Sequence, residues 1–308
     1  MLRPDESPGP LPPLGAQVLT SFEDNDWGWY RVLDGVMGGR SSGRFELREG
    51  RLEFRGVLNT NGGGFASVRS RARSVSLRGQ EGLRLRMRGD GRRYSIRLSQ
   101  SGLRSGVTYR ADVETVPSAA SDAVKPGPWQ TVWLPFASFE PQWRGRQLDL
   151  PPLDLDRVVG LGLTVADGVD GPFRVEVDEI AAYPPFDLAQ LKGERSALVV
   201  IAPVPGHSGA ARWASAFERM QDAAPKADVV LVRAAGEGDA MVEARGLNRR
   251  EVRALRSGLG CDPGTFMVRL VRMDGTVESV DTESVDLARL WAVSGSPEGG
   301  AGAAQGPR

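Results

Sequence analysis

Hydrophobic and polar residues alternate over short segments from Val18 to Tyr183. Alternation with a period of two, interrupted by Gly, Pro, Asn and Asp, is typical of β-strands joined by turns. Eight such segments predict strands at 51–57, 65–69, 82–88, 94–98, 107–113, 130–135, 158–165 and 173–180. So many strands need two packed sheets to bury their apolar faces. The pattern therefore predicts an all-β sandwich in this part of the chain.

The segment 82–88 alternates between the apolar Leu83, Leu85 and Met87 and the basic Arg84, Arg86 and Arg88. One face of this strand should therefore join the core while the other carries arginine. Asp90 between two glycines predicts a tight hairpin turn to the next strand.

Ten arginines fall between positions 69 and 97, with only two acidic residues among them. They predict a positively charged face, although the whole chain is balanced at 39 basic and 39 acidic residues. A solvated face is the first interpretation, with an acidic protein surface as the alternative. Nucleic acid is disfavoured because aromatic residues that could stack on bases are nearly absent there. The candidate partner-binding arginines are Arg69, Arg84, Arg86, Arg88 and Arg93.

A different pattern begins near residue 190. The segment 196–203, apolar from Ala197 onward, predicts a buried strand, 210–221 has helical spacing, and 227–233 predicts another strand. Asn248 is placed to cap a second helix, and 266–280 alternates on both sides of Asp274-Gly275, which predicts a hairpin. With a short helix at 284–291, the order is β-α-β-α-β-β-α.

These patterns predict a two-domain protein, which a length of 308 residues allows. The expected organisation is a disordered tail at 1–15, a β-sandwich at 16–186, a linker at 187–195, an α/β domain at 196–293 and a disordered tail at 294–308. One cysteine, no secretory signal and no apolar run of transmembrane length together favour the cytoplasm.

Several motifs are more specific than the general pattern of a sandwich. They are DGVMGGRSSGRF at 34–45, GGFASVRS at 63–70, GDGRRY at 89–94, W-x-x-V-x-L-P-F at 129–136, F-x-P-x-x-R-G at 139–145 and GPFRVEVDEI at 171–180. With them the region 18–185 resembles the mitochondrial complex I intermediate-associated protein family. The resemblance implies a galactose-binding-like jelly roll and a non-enzymatic role in assembling respiratory NADH dehydrogenase. We expect the chain to depart from that family by its second domain and by the absence of a mitochondrial-type leader.

The glycine-flanked turn 34–39 is a candidate partner-contacting loop. A phosphate-binding loop is disfavoured because no helix and no Gly-Lys-Ser/Thr follows the glycines. A packed turn at the edge of a strand is the competing interpretation. The candidate residues are Asp34, Gly35, Met37, Gly38 and Gly39.

The second domain resembles a thioredoxin-like fold in its strand order. The segment after its first strand, APVPGHSGA, lacks the Cys-x-x-Cys of redox-active members, so dithiol exchange has no nucleophile. Cys261 is a candidate redox residue, with an inert structural cysteine as the alternative. His207, the one histidine, lies in a loop without the spacing of a nucleophile elbow.

The sequence therefore predicts a protein-binding assembly factor or scaffold with no catalytic residues, no cofactor and no metal. A carbohydrate-binding module is the first alternative, because tryptophans could stack on sugars. The tryptophans concerned are Trp27, Trp29, Trp129, Trp133 and Trp143. A thiol-based redox protein using Cys261 is the second alternative.

Overall fold

The computed structural model of the protein describes residues 15–23, 27–119, 125–223, 229–280, 282 and 287. The chain divides into two compact units, Met1–Pro185 and Phe186–Arg308. The predicted tails lie outside the described residues except for Gly15, and so does the predicted helix at 284–291 except for Leu287. Among the residues that the structure describes, none forms a helix long and apolar enough to cross a membrane.

The first unit is built from strands and contains only short 3-10 turns in its described part. The strands are β1 (Gln17–Thr20), β2 (Tyr30–Leu33), β3 (Ser42–Arg48), β4 (Arg51–Leu58), β5 (Ala66–Arg69), β6 (Gly82–Gly89), β7 (Arg93–Gln100), β8 (Val107–Glu114), β9 (Gln130–Pro135), β10 (Glu140–Trp143), β11 (Arg146–Gln147), β12 (Val158–Val165) and β13 (Gly171–Tyr183). All eight strands expected from alternation are present. Their ends differ from the expected positions by at most three residues.

These strands form two antiparallel sheets. In the first sheet the order is β3-β4-β13-β6-β9, with β1 also paired to β13, and in the second it is β11-β10-β8-β7-β12-β5-β2. Both sheets contribute buried side chains to one apolar core, for example Leu85 and Val177 from the first and Ile96 and Leu163 from the second. The predicted two-sheet sandwich is confirmed.

The turn at Asp90 does not form the predicted hairpin. β6 pairs only with β9 and β13 in the described part of the chain, whereas β7 pairs with β8 and β12 in the other sheet. The Asp90 carboxylate accepts hydrogen bonds from the Tyr94 hydroxyl at 3.0 Å and from the Arg174 amide at 2.7 Å. These bonds tie the turn to both sheets. The prediction was wrong because a Gly-Asp-Gly turn also suits a corner between sheets, and the next strand pairs where its apolar face is buried.

The second unit combines one mixed sheet with two helices in its described part. Its elements are β14 (Ser196–Ala202), α1 (Ser208–Ala223), β15 (Val229–Ala235), β16 (Asp239–Val242), β17 (Arg245–Gly246), α2 (Arg249–Gly258), β18 (Met267–Val271) and β19 (Val277–Ser279). The sheet order is β17-β16-β15-β14-β18-β19. β14 runs parallel to β15 and antiparallel to β18. The predicted strands, the first two of the three predicted helices and the hairpin at Asp274-Gly275 are confirmed, whereas β16 and β17 were not predicted.

Apolar side chains cover both faces of β14, which explains its uninterrupted apolar sequence. Val199 and Ile201 join one cluster with α2, and Leu198 joins another with the fully buried Trp213 of α1. Asn248 caps α2 as predicted, because its side chain accepts from the Arg250 and Glu251 amides. The Glu251 carboxylate in turn accepts from the Asn248 amide at 2.7 Å, which completes a capping box.

The segment expected as a linker, 187–195, has regular structure. Leu188–Leu191 is a 3-10 helix, and the Asp187 side chain accepts a hydrogen bond from the Ala189 amide at its start. Leu191 is buried in the same cluster as Val199. Leu191, an apolar residue among polar ones, was the overlooked sign that this segment packs against the core of the second unit.

Candidate functional site

The turn at 34–41 is organised around a buried carboxylate. Asp34 is 0% exposed. Its Oδ2 accepts from the Ser41 hydroxyl at 2.5 Å, the Gly64 amide at 2.7 Å and the Phe65 amide at 3.3 Å, and its Oδ1 accepts from the Ser41 amide at 3.0 Å. One side chain thus fastens the loop before β3 to the loop before β5.

Two glycines near Asp34 are required by close packing against its side chain, and a third is required by its backbone conformation. A Cβ at Gly39 or at Gly63 would overlap the Asp34 carboxylate. Gly38 has φ of 87°, a left-handed conformation that ends the 3-10 helix Asp34–Met37. Gly35 has open space where a Cβ would stand, so it is not constrained in this way.

Hydrogen bonding keeps Asp34 ionised. Burial raises the pKa of its carboxyl, but the Ser41 hydroxyl and the amides of Gly64, Ser41 and Phe65 together lower it further than burial raises it. The net effect is a pKa below the ordinary value for aspartate. The charged carboxylate, with its hydrogen bonds, holds the backbone of the turn in one conformation.

Two apolar side chains of this turn project into solvent. Val36 is 75% exposed and Met37 is 52% exposed. The prediction that Asp34 itself contacts a partner needs correction, because it is buried and supports the loop instead. Val36 was missed in the sequence analysis. An apolar residue between glycines in a turn was the available signal.

The predicted arginine face of β6 is not an open positive surface. Each of the three arginines pairs with an acidic residue of β13: Arg84 with Glu179, Arg86 with Asp178, and Arg88 with Glu176 at 2.8 Å. The register of β13 shifts between Val177 and Glu179, which lets two successive acidic residues reach the same arginine row. The sequence window 69–97 could not show these partners, which lie about 90 residues further along the chain.

The rings of the tryptophans proposed for sugar stacking are either buried in the core or covered by an arginine side chain. Trp27 and Trp29 are buried in the sandwich core. Guanidinium groups lie over the other three rings: Arg84 over Trp133 at 5.8 Å, Arg88 over Trp129 at 4.6 Å, and Arg104 over Trp143 at 4.1 Å. These contacts are cation–π interactions. The tryptophans therefore do not form a free stacking platform for a sugar.

The candidate partner-binding residues lie in three places within the first unit. Asp34 and the glycines form the turn, whereas Arg84, Arg86 and Arg88 lie on the outer face of the first sheet. Arg69 on β5 and Arg93 on β7 lie on the outer face of the second sheet, where Arg93 is 3.9 Å from Asp112. Apart from Asp34, which is buried, their role in partner binding stays a prediction.

In the second unit, Cys261 is 9% exposed and packs in the cluster that contains Val199. Arg256 Nη1 donates toward its sulfur at 3.7 Å, and Arg256 Nη2 donates to the Ala202 carbonyl at 2.8 Å. His207 stacks on Phe266, with ring centroids 4.4 Å apart. Within the described ranges, no group of three or more His, Cys, Asp or Glu side chains could hold a metal ion.

Comparison with protein families matches residues 20–177 to Complex I intermediate-associated protein 30. "Complex I intermediate-associated protein 30, mitochondrial" of Mus musculus is 36% identical over 106 residues, which is 33% of this chain and 30% of the mouse protein. The matched region thus spans less than a third of that relative's length.

Two kinds of solved structure are similar to the chain at low scores. A family 11 carbohydrate-binding module from Clostridium thermocellum has a TM-score of 0.41 at 19% identity, covering 55% of this chain and 95% of its own. The agarase AgWH50C has a TM-score of 0.38 at 13% identity, covering 58% of this chain and 26% of its own. Likeness at this level supports no inference about a ligand.

Proposed function

The chain belongs to the complex I intermediate-associated protein 30 family, and on this premise we propose that its β-sandwich is a non-enzymatic protein-binding module of an assembly factor or scaffold. The proposed partner is an assembly intermediate of respiratory NADH dehydrogenase, as the name of the mouse relative suggests. A galactose-binding-like jelly roll is the proposed form of the sandwich. The expected cytoplasmic location stays a prediction, since the mouse relative is named as mitochondrial.

The observation that carries this proposal is the pair of exposed apolar side chains on a rigid turn. Val36 and Met37 are exposed while Asp34, beside them, is buried with four hydrogen bonds. A preformed loop loses little conformational entropy when it binds. Methionine also adapts its shape to an apolar partner surface. This turn is therefore the proposed contact point.

The test compares the full chain with a Val36→Ser/Met37→Ser variant in quantitative affinity purification from respiring cells. The matched control is Val116→Ser/Val169→Ser, which removes two other exposed valines of the same unit. We expect subunits of NADH dehydrogenase to copurify with the full chain and the control, and to fall at least fivefold with the variant. Absence of those subunits from the wild-type preparation would contradict the proposal.

For the second unit we propose a thioredoxin-like domain at 196–293, separate from the sandwich at 16–186. Its support is the central β14, parallel to β15 after α1 and antiparallel to β18 after α2. The buried position of Cys261 favours a structural role for this cysteine over a redox role.

A further inference from the structure

Along β12, the outer face of the second sheet carries glycine at two successive outward positions, and both glycines are buried. Three successive outward positions of this strand are Gly160, Gly162 and Thr164, while the inward Leu161 and Leu163 are buried in the core. Glycine weakens a strand interior and often marks a place where another molecule approaches the backbone. A Cβ at Gly162 would meet nothing closer than 3.5 Å, so internal packing does not require glycine there.

Arginines flank these glycines. The register places Arg69 of β5 on one side of Gly162 and Arg97 of β7 on the other, and Arg110 of β8 lies beside Arg97. Adjacent strands are about 4.8 Å apart, so the Arg69 and Arg97 backbones are about 10 Å apart across the glycine. We call Arg69, Gly160, Gly162 and Arg97 the arginine trough.

Two of these guanidinium groups have only neutral hydrogen-bond partners among the described residues, and the charge of Asp112 acts on Arg97 from beyond ion-pair distance. Arg69 Nε donates to the Ser67 hydroxyl at 3.0 Å, and Arg97 donates to the Thr108 hydroxyl at 3.4 Å. Neither makes an ion pair within the part of the chain that the structure describes. The Nε of Arg97 is buried and has no hydrogen-bond partner there.

The acidic residues of this face do not neutralise the trough. Asp112 forms a two-point ion pair with Arg110, at 2.7 and 3.0 Å. Glu140 of β10 stands opposite Arg110 in the register, one strand further from the trough. Burial, followed by the like charges of Arg69 and Arg110, lowers the pKa of Arg97 to about 10. Arg97 is still charged at neutral pH, and its environment disfavours that charge.

A buried hydroxyl provides an independent sign of a ligand. Thr164 occupies the next outward position after Gly162 and is 1% exposed, yet its Oγ1 has no hydrogen-bond partner among the described residues. Buried polar groups are nearly always hydrogen-bonded, so an unsatisfied one calls for an explanation. It lies on the same strand face as Gly160 and Gly162.

We propose that the arginine trough binds an oxyanion, the carboxylate or phosphate group of a ligand that lies along β12. A guanidinium group matches either oxyanion with two parallel N–H donors. Two of them, on opposite sides of a glycine, can approach one anion without a side chain between them. The site is independent of the Val36/Met37 turn and of the proposed function.

The test is isothermal titration calorimetry of the full chain at low ionic strength with three probes: inorganic phosphate, citrate and an acetylated tetraglutamate peptide. Variants are Arg97→Gln, Arg69→Gln and Gly162→Val. The control is Arg44→Gln, which removes an arginine that is 65% exposed on the other sheet. We expect saturable binding of at least one probe, weakened at least tenfold in each variant and less than twofold in the control.

Phosphate binding without binding of the carboxylates would identify a phosphate ligand, and the reverse would identify a carboxylate ligand. Stronger binding of the peptide than of citrate would indicate an extended acidic ligand. Binding should also weaken as NaCl is raised, because salt screens charge attraction. Failure of all three probes to bind the wild type, or undiminished binding by Arg97→Gln, would overturn the proposal.

A folding control keeps this result interpretable. Removing one of several adjacent like charges relieves repulsion, so Arg97→Gln should melt no lower than wild type in anion-free buffer. The bound probe should raise the melting temperature of the wild type and not that of the variant. An equal rise in both proteins would contradict binding at Arg97.

Discussion

Replacement of Asp34 by asparagine tests the physical account of the turn most directly. The substitution keeps the size of the side chain and one carbonyl oxygen, which can still accept from the Ser41 amide. The new amide group would face three donors that Oδ2 now accepts from: the Ser41 hydroxyl and the Gly64 and Phe65 amides. Each lost bond to a charged group costs about 1.5–3 kcal/mol, less where water can replace it.

Because the Gly64 and Phe65 bonds are only partly buried, we expect Asp34→Asn to lower the free energy of unfolding by about 3 kcal/mol at pH 7. The measurement is urea unfolding followed by tryptophan fluorescence, since Trp27 and Trp29 are buried in the sandwich core. The control, Asp149→Asn, changes an exposed aspartate and should stay within about 0.5 kcal/mol of wild type.

The effect of pH supplies a second check. The folded-state pKa of Asp34 lies below its unfolded value of about 3.9. Its ionised form therefore contributes stability that is fully present above that value and is lost as the pH falls through the folded pKa. Asparagine does not titrate, so the gap between wild type and variant should narrow below about pH 4. A gap under 1 kcal/mol at pH 7, or one equally wide at pH 3, would refute the reasoning.

Three further predictions concern packing. Gly39→Ala should destabilise the first unit by about 2 kcal/mol in urea unfolding, whereas Gly35→Ala should be nearly neutral, because only the former Cβ meets Asp34; equal effects would contradict the packing argument. Glu251→Gln should cost about 3–5 kcal/mol by leaving the buried Arg245 without its ion-pair partner, and a loss below about 1 kcal/mol by calorimetry would show that the pair is dispensable. The Cys261 thiol should react with a disulfide reagent at least 100-fold more slowly in the native protein than in urea, and rapid native reaction would revive the redox alternative.

The positions of the strands were predictable because alternation with period two is a local property. The strands Gln130–Pro135 and Val158–Val165 have the predicted bounds. Asn248 was recognised as the cap of α2 because an asparagine side chain can accept hydrogen bonds from the backbone amides at the start of a helix. The interpretation failed at Gly89–Gly91, because a turn motif does not specify which sheet receives the next strand. Pairing depends on where the following apolar face is buried.

The candidate sites depended on distant parts of the chain. The sequence predicts a positive face from the arginines of β6, but in the structure Glu176 and Asp178 of β13 pair with them. The sequence predicts Asp34 as a partner-contacting residue, but in the structure the amides of Gly64 and Phe65 donate hydrogen bonds to its buried carboxylate. The Gly64 and Phe65 amides lie 30 and 31 residues from Asp34, and the acidic residues of β13 lie 88 to 95 residues from the arginines with which they pair.

By itself, the sequence determined the two regimes of secondary structure, the alternating faces of the strands and the family motifs, because these follow from neighbouring residues. Only the tertiary structure decided which charges are paired. Arg97 and Arg86 both stand on outward strand positions, yet Arg86 meets Asp178 of β13 while Arg97 lies across Gly162 from Arg69. The physical reason is that Coulomb interactions depend on distance in space, and strand order and register set those distances.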